Sequence, residues 1–288
     1  MSFKELIMIL KIKHEEAIIH LANYMFLTSS QFKELGLLKN RGDITNLLKE
    51  QTDRTKPLIG KAVMGFYPGK GRLEDIYYLT SYGKKFLIEE LFYTEDDIKI
   101  PSNPNSISKR LYDHRKYTVD FHIKLDNWLK VNEGEIKFLT YDFEKVGNNR
   151  SGNKKETVKS INYIPIKTSY IIPDTIAQFE INNRDFLVIF EQHNGDNSKR
   201  LYNQLLPHLE ALANGSIRKK YQFDKSHRVI VVCEYVSVKK SVIKRVQEDK
   251  RFNKFHKHFL FKTNDELEDD FFNNWTQLNG ENINFIPS

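Results

Sequence analysis

Asp174, Glu191 and His193 are the residues whose types and spacing could do chemistry. Pro173-Asp174 is followed, seventeen residues after the aspartate, by Glu191-Gln192-His193. The stretch from Ile171 to Asn197 reads as two strands joined at Asn182-Asn183, since asparagine tolerates the left-handed backbone that tight hairpins need. With those two residues as the whole loop, paired positions sum to 365 and Asp174 stands opposite Glu191. Carboxylates facing each other about 5 Å apart repel. A Mg2+ or Mn2+ ion held by Asp174 and Glu191 relieves that repulsion and keeps open positions for water and phosphate. His193 shares the face of Glu191, because side-chain direction repeats every second residue. A second reading stays open. In the same register Glu180 faces Asp185, which fits a longer loop and a pairing shifted by one. That shift sends Asp174 and Glu191 to opposite faces and leaves them as solvated strand ends.

The elements around this hairpin are those of a second domain at 107–288. A helix over Ile107–Val131 carries Leu111, Phe121, Leu125, Trp128 and Leu129 on one side and Asp113, Tyr117, Asp120 and Lys124 on another. A strand over Ile136–Phe143, a polar loop over 147–159 with Arg150, Lys154, Lys155 and Lys159, and a short strand at Tyr163–Ile166 precede the hairpin. A helix over Ser198–Ala213 follows, with Pro207 expected to kink it. The nearly pure apolar run Val229–Tyr235 reads as a central strand covered on both faces. A helix over Val236–Glu248, a strand at Phe259–Lys262 and a last helix over Asp265–Trp275 complete the order. Helices on both faces of a sheet account for it. An acid opening one strand and another ending the next is the order of a restriction-endonuclease-like fold. Asp120 is a further candidate, contributed by the first helix.

Residues 1–93 read as a separate winged helix-turn-helix domain. A helical pattern over 3–24, broken near residue 13, includes Phe3, Leu6, Ile7 and Leu10. Thr28-Ser29-Ser30-Gln31 is a capped start for a short helix that Gly36 ends. A third helix runs through Ile44, Leu47 and Leu48. Strands at Leu58–Phe66 and Leu73–Leu79 flank the tip Tyr67–Arg72, before a helix over Ser81–Leu87. In that architecture the third helix enters the major groove and the wing meets phosphates. The matching groups are Arg41, Lys49, Arg54, Lys56, Lys70 and Arg72, which position DNA without reading its sequence. Asp43, Glu50, Asp53, Glu74 and Asp75 offset them, and the same module also serves protein interaction or dimerisation. The Gly69-Lys70-Gly71-Arg72 turn is no phosphate-binding loop, for it lacks the Lys-Ser/Thr ending. The polar, proline-containing stretch 94–106 is the expected linker.

The 288 residues allow two domains of ordinary size, and 40% hydrophobic content excludes wholesale disorder. A net charge of +7 and pI near 9.1 favour a polyanionic partner. A single cysteine, Cys233, excludes a disulfide within the chain and a cysteine metal cluster. Lys4, Lys11 and Lys13 interrupt the first apolar residues, and no segment is long enough to span a bilayer. The expected compartment is the cytoplasm, with no membrane partner.

Several of these motifs together resemble the replication-relaxation proteins of bacterial plasmids and mobile elements. They are Ile76-Tyr77-Tyr78-Leu79-Thr80-Ser81-Tyr82-Gly83, His114-Arg115-Lys116-Tyr117-Thr118-Val119-Asp120, and Pro173-Asp174 through Glu191 with its helix, covering about residues 28–213 in that order. The resemblance implies a DNA-binding domain before a nuclease-like one, and a role in replication, relaxation or mobilisation. Its partners would be double-stranded DNA, other replication or mobilisation proteins, and a second copy of the chain as a homodimer. Nucleases of this broad fold carry lysine two residues after the glutamate; this chain has His193. Histidine serves as a general base near neutral pH, and Lys199 or Arg200 on the next helix supplies charge. The alternative is a DNA-binding accessory protein or regulator whose nuclease fold has lost its chemistry. Phe255-His256-Lys257-His258-Phe259 also resembles the paired-histidine motif of rolling-circle nickases, but Lys257 replaces a bulky apolar residue there. The plainer reading makes His256 and His258 polar residues before an edge strand.

Overall fold

The computed structural model describes residues 3–101, 108–146, 159–167 and 169–286, with side chains from residue 11 onward. It divides into two compact units, Met1–Ile123 and Lys124–Ser288. The fold is mixed α/β. Among the described residues, no helix is long and apolar enough to cross a membrane.

In the first unit, helix α1 (Phe3–Tyr24) runs unbroken through Lys13, where a break was expected. The side chains of Phe3, Leu6, Ile7 and Leu10 lie outside the described residues. Strand β1 (Phe26–Thr28), which the sequence did not reveal, leads into α2 (Ser29–Glu34). Thr28 caps α2 and Gln31 returns the bond to the Thr28 amide, a complete capping box. Helix α3 (Arg41–Thr52) buries Ile44, Leu47 and Leu48. Strands β2 (Ile59–Ala62) and β5 (Ile76–Leu79) pair antiparallel, with β1 on the far side of β5. Between them β3 (Phe66–Tyr67) and β4 (Gly71–Arg72) form the tip of the hairpin. Helix α4 (Ser81–Glu90) is capped by Thr80.

Of the stretch expected to link two domains, Thr94–Pro101 is described: Ile98 is buried and the Lys99 amide donates to Ala22 O at 2.8 Å. Residues 102–106 lie outside the described residues. Helix α5 (Tyr112–Val131) follows, and the division between units falls within it.

The second unit is built on a seven-stranded mixed sheet. Its strands enter as β6 (Glu135–Tyr141), β11 (Thr175–Ile181), β12 (Arg184–His193), β13 (Arg228–Cys233), β14 (Phe259–Thr263), β15 (Trp275–Gln277) and β16 (Asn282–Ile283). Their spatial order is β16-β15-β14-β13-β12-β11-β6, with β12, β13 and β14 parallel and the other pairs antiparallel. Two short pairs, β7 (Lys145–Val146) with β8 (Lys159–Ser160) and β9 (Ile164–Pro165) with β10 (Tyr170–Ile171), fill the connection from β6 to β11. Arg150, Lys154 and Lys155 of the expected basic loop lie outside the described residues.

Helices α6 (Ser198–Asn214) and α8 (Val236–Gln247) cover one face of this sheet. Leu201, Leu205 and Leu209 meet Val229, Val231, Val242 and Phe261 there, in a core that includes Cys233. The short α7 (Ser216–Lys220) extends that cover through Ile217. Helix α6 continues through Pro207 without interruption. On the other face Phe179 stacks on Phe285, and Trp128 meets Phe272 and Phe285.

The last expected helix ends early. Helix α9 covers only Asn264–Asp269, because Asp270 Oδ1 accepts from the amides of Phe272 and Asn273 and turns the chain out of the helix. Trp275 then opens strand β15, so β14 is an interior strand and not an edge.

Gly83 gives a direct test of the first unit's packing. A Cβ there would lie 2.3 Å from Leu58 O and 2.6 Å from Leu79 Cδ1, whereas one at Gly42 meets nothing within 4 Å. Gly83→Ala should therefore destabilise the protein by about 1–3 kcal/mol in urea melts, and Gly42→Ala should not. Equal midpoints for both variants would contradict this packing.

Candidate functional site

The hairpin β11–β12 turns at Asn182 and Asn183, with φ of 52° and 56°. Two successive left-handed residues make the two-residue turn that matches strand twist. Pairing runs from Ile181↔Arg184 to Thr175↔Phe190, the register whose sums are 365. Asp174 follows the end of this ladder on the level of Glu191. On its other side, β11 pairs with β6 through Thr175↔Tyr141, so the next residue of β6, Asp142, falls beside Asp174. Its amide donates to Asp174 O at 2.9 Å. Ligand oxygens of Asp142 and Asp174 lie within 4.8 Å of each other. Asp142, just past β6, Asp174, just before β11, and Glu191 of β12 thus fall on one level of the sheet. Glu191, however, is turned to His208 and among the described residues makes no group of three within 4.8 Å with the two aspartates.

Asp174 and Glu191 are each held by a hydrogen bond to the side chain. Asp174 is buried and its Oδ2 accepts from the Gln192 amide at 2.7 Å, standing in for a backbone partner just past the ladder. Asn162, wholly buried, donates to Pro173 O at 2.7 Å and accepts from Thr140 Oγ1 at 2.7 Å. These bonds fix the Pro173-Asp174 segment against β6. Glu191 Oε1 lies 2.7 Å from Nε2 of His208 on α6.

His208 is a site residue that the sequence reading missed. It follows Leu205 by three on the buried side of α6, so helical spacing carried the signal. Burial pushes its pKa down to about 4, against the opposing pull of Asp174. The imidazole is therefore neutral near pH 7, and its Nε2–H donates to Glu191 in a hydrogen bond that is not an ion pair. Asp142 was missed too; it ends the apolar strand before the loop.

His193 lies where expected, two residues beyond Glu191 on β12, and is buried. Burial first, and the Arg200 charge second, lower its pKa. Its Nδ1 faces Gln204 Oε1 at 3.3 Å and the ring also has a backbone hydrogen bond to Asn197; an Nδ1–H donating to Gln204 leaves Nε2 as the basic atom. Among the described residues that Nε2 has no hydrogen-bond partner within 3.5 Å. Lys199 is exposed in the first turn of α6, and the cation that acts on His193 is Arg200.

The other sequence candidates are placed as follows. Asp120 is in the first unit, accepting from Gln31 Nε2 and Lys116 Nζ, each at 2.7 Å. Arg41 pairs with Glu74 at 2.9 Å, Lys70 pairs with Asp113, and Lys56 lies 5.8 Å over the Tyr82 ring. Lys49, Arg54 and Arg72 are exposed, and among the described residues none of them is in an ion pair. Nδ1 of His256 and of His258 face the carbonyls of Asn253 and His227. Neither histidine joins a metal-type cluster among the described residues.

His227, nearly fully buried, has a pKa pushed down to about 3 by burial, then by His208 and His258. Below the ordinary histidine pKa near 6.5 the unfolded chain takes up a proton that folded His227 refuses, so stability falls as pH drops from 6.5 toward 3. This residue alone should remove about 2 kcal/mol between pH 7 and pH 5. Urea melts of His227→Asn should show a correspondingly flatter pH dependence; an unchanged slope would contradict a neutral buried imidazole.

No protein-family model matches the chain, and neither a curated protein nor a solved structure matches it, so a reading of this site rests on its own geometry.

Proposed function

We propose that the chain is a DNA-processing protein in which a winged helix-turn-helix grips duplex DNA and a restriction-endonuclease-like domain nicks a strand with Mg2+ or Mn2+. The level shared by Asp142, Asp174 and Glu191, set by the pairing of β11 with β12 on one side and with β6 on the other, is the observation that carries this reading. Hard oxygen donors at the ends of neighbouring strands suit such a cation. Asp142 and Asp174 would hold it, with Glu191 joining as third ligand on turning from His208, and bound there it would polarise a phosphodiester as a Lewis acid.

The chain's own groups supply the rest of the chemistry. His208 fixes the direction of Glu191. Gln204 orients His193, whose neutral Nε2 takes the proton of an attacking water. The water oxygen bonds to phosphorus, and the bond from phosphorus to the leaving oxygen breaks. His193 thus does the work that lysine does in related nucleases. The likeness to plasmid replication-relaxation proteins belongs to this same proposal, as does a role in replication or mobilisation.

A second reading has its own support. The Gln192 amide and the His208 ring give Asp174 and Glu191 structural partners, as expected of an accessory DNA-binding protein with no chemistry left.

Supercoiled plasmid with Mg2+ or Mn2+ separates the two readings. The nickase reading requires metal-dependent conversion to open circles, reduced at least 100-fold in Asp174→Asn and Glu191→Gln and by about 10²–10⁴ in His193→Ala. Wild type that binds DNA and never nicks it would leave the accessory reading.

DNA gripping is tested separately. Exposed Lys49 and Arg72 are the phosphate contacts proposed for α3 and the hairpin tip. Replacing both with alanine should weaken binding to every duplex and reduce the slope of log affinity against log salt by about two. An unchanged slope would remove this face from the reading.

A further inference from the structure

The amino ends of the parallel strands hold a second feature, remote from the three acids. Arg184 opens β12 and Arg228 opens β13. Seven residues of extended chain, about 23 Å, separate Arg184 from Glu191. Here a cavity of about 430 Å³ is lined by Arg184, Lys225, Arg228 and Lys257, over a floor that includes Leu187, Phe223 and Phe285. That volume falls within the range of about 300–1,000 Å³ typical of small-molecule sites.

The charge in this cavity is uncompensated. Asp185 is the one carboxylate in its lining, against four cations, and none of the four is in an ion pair among the described residues. Glu281 borders a neighbouring hollow shared with Arg228 and Lys257 but makes no ion pair with either. Arg228 is half-buried and donates one N–H to Phe285 O. Burial, then the nearby Arg184 charge, lowers its pKa. Two guanidiniums that repel each other across a partly desolvated hollow are a place where an anion lowers the energy. The planar fork of arginine matches phosphate oxygens two at a time. Leu187, Phe223 and Phe285 are already buried beneath, and the half-buried Phe186 ring under the Arg184 guanidinium is the apolar surface that a flat body attached to the phosphate would cover.

We propose that this cleft binds a nucleoside monophosphate, with Arg184, Arg228 and Lys257 on the phosphate and the base against the Phe186 ring. The inference is independent of the metal reading, since it uses none of the three acids and its test measures no nicking.

The test is calorimetric titration of the full chain with AMP, inorganic phosphate and adenosine. AMP should bind at least tenfold more tightly than phosphate, which lacks the base, and than adenosine, which lacks the charge. Arg184→Ala and Lys257→Glu, both at exposed positions, should each weaken AMP at least tenfold with an unchanged melting temperature. Arg228→Lys, which keeps charge but loses the fork, should also weaken it. Absence of AMP binding, equal binding of adenosine, or AMP binding untouched by the Arg184 and Lys257 variants would each overturn the proposal. So would displacement of AMP by duplex DNA at equal phosphate concentration, which would make the cleft part of a DNA track.

Discussion

A two-residue turn holds β11 against β12 with no slack. Asn182 and Asn183 both adopt left-handed backbone, and seven paired positions follow from that turn. Residues Leu187–Phe190 are buried on both faces of the sheet, so hydrophobic pattern alone cannot choose between registers. The turn chooses. Asp174 beside Glu191, and His193 on the same helix-covered face as Glu191, descend from that choice, whereas Asp142 beside Asp174 is set by the separate pairing of β11 with β6, whose register shifts between Gln178 and Phe179. The Glu180↔Asp185 pair that this register creates is offset locally, because Lys137 of β6 lies 3.1 Å from Glu180.

Around the acids the protein has assembled a buried polar layer rather than an apolar one. Asn162, Gln192, His193 and His208 are all nearly fully buried. Buried polar groups need partners, and here most atoms have one within the layer. Among the described residues the exceptions in this layer are Nε2 of His193, Nδ1 of His208 and Oε1 of Gln192. An unpartnered buried acceptor costs roughly 1–3 kcal/mol. Concentrating that cost beside these acids is characteristic of sites kept for chemistry. The neutral imidazoles also make the domain sensitive to acid, since each must refuse a proton to remain folded.

Much of this was legible in the residues. Thr28 and Gln31 announced their capping box, the Val229–Val232 run announced a central strand, and Asp174 opposite Glu191 followed from the asparagine turn. What stayed hidden depended on contacts far apart in sequence. Strand β1 is three residues long and is fixed by pairing with β5, which local pattern does not encode. Asp270 stops a helix through its side chain, while Phe271 through Trp275 carry no helix-breaking proline or glycine. His208 sat in plain view on the apolar stripe of α6, but its meaning required knowing that α6 lies over Glu191. Asp142 became a site residue only once β6 was known to flank β11.

The central claim is that three acids on one level of the sheet form a cation site. Electron paramagnetic resonance of Mn2+ added to the full chain measures this without requiring the right DNA. The account predicts one tight Mn2+ per chain, weakened at least tenfold by Asp142→Asn, Asp174→Asn or Glu191→Gln and unaffected by Lys257→Glu. Mn2+ that binds equally to all four variants, or a folded wild type that binds none, would contradict it.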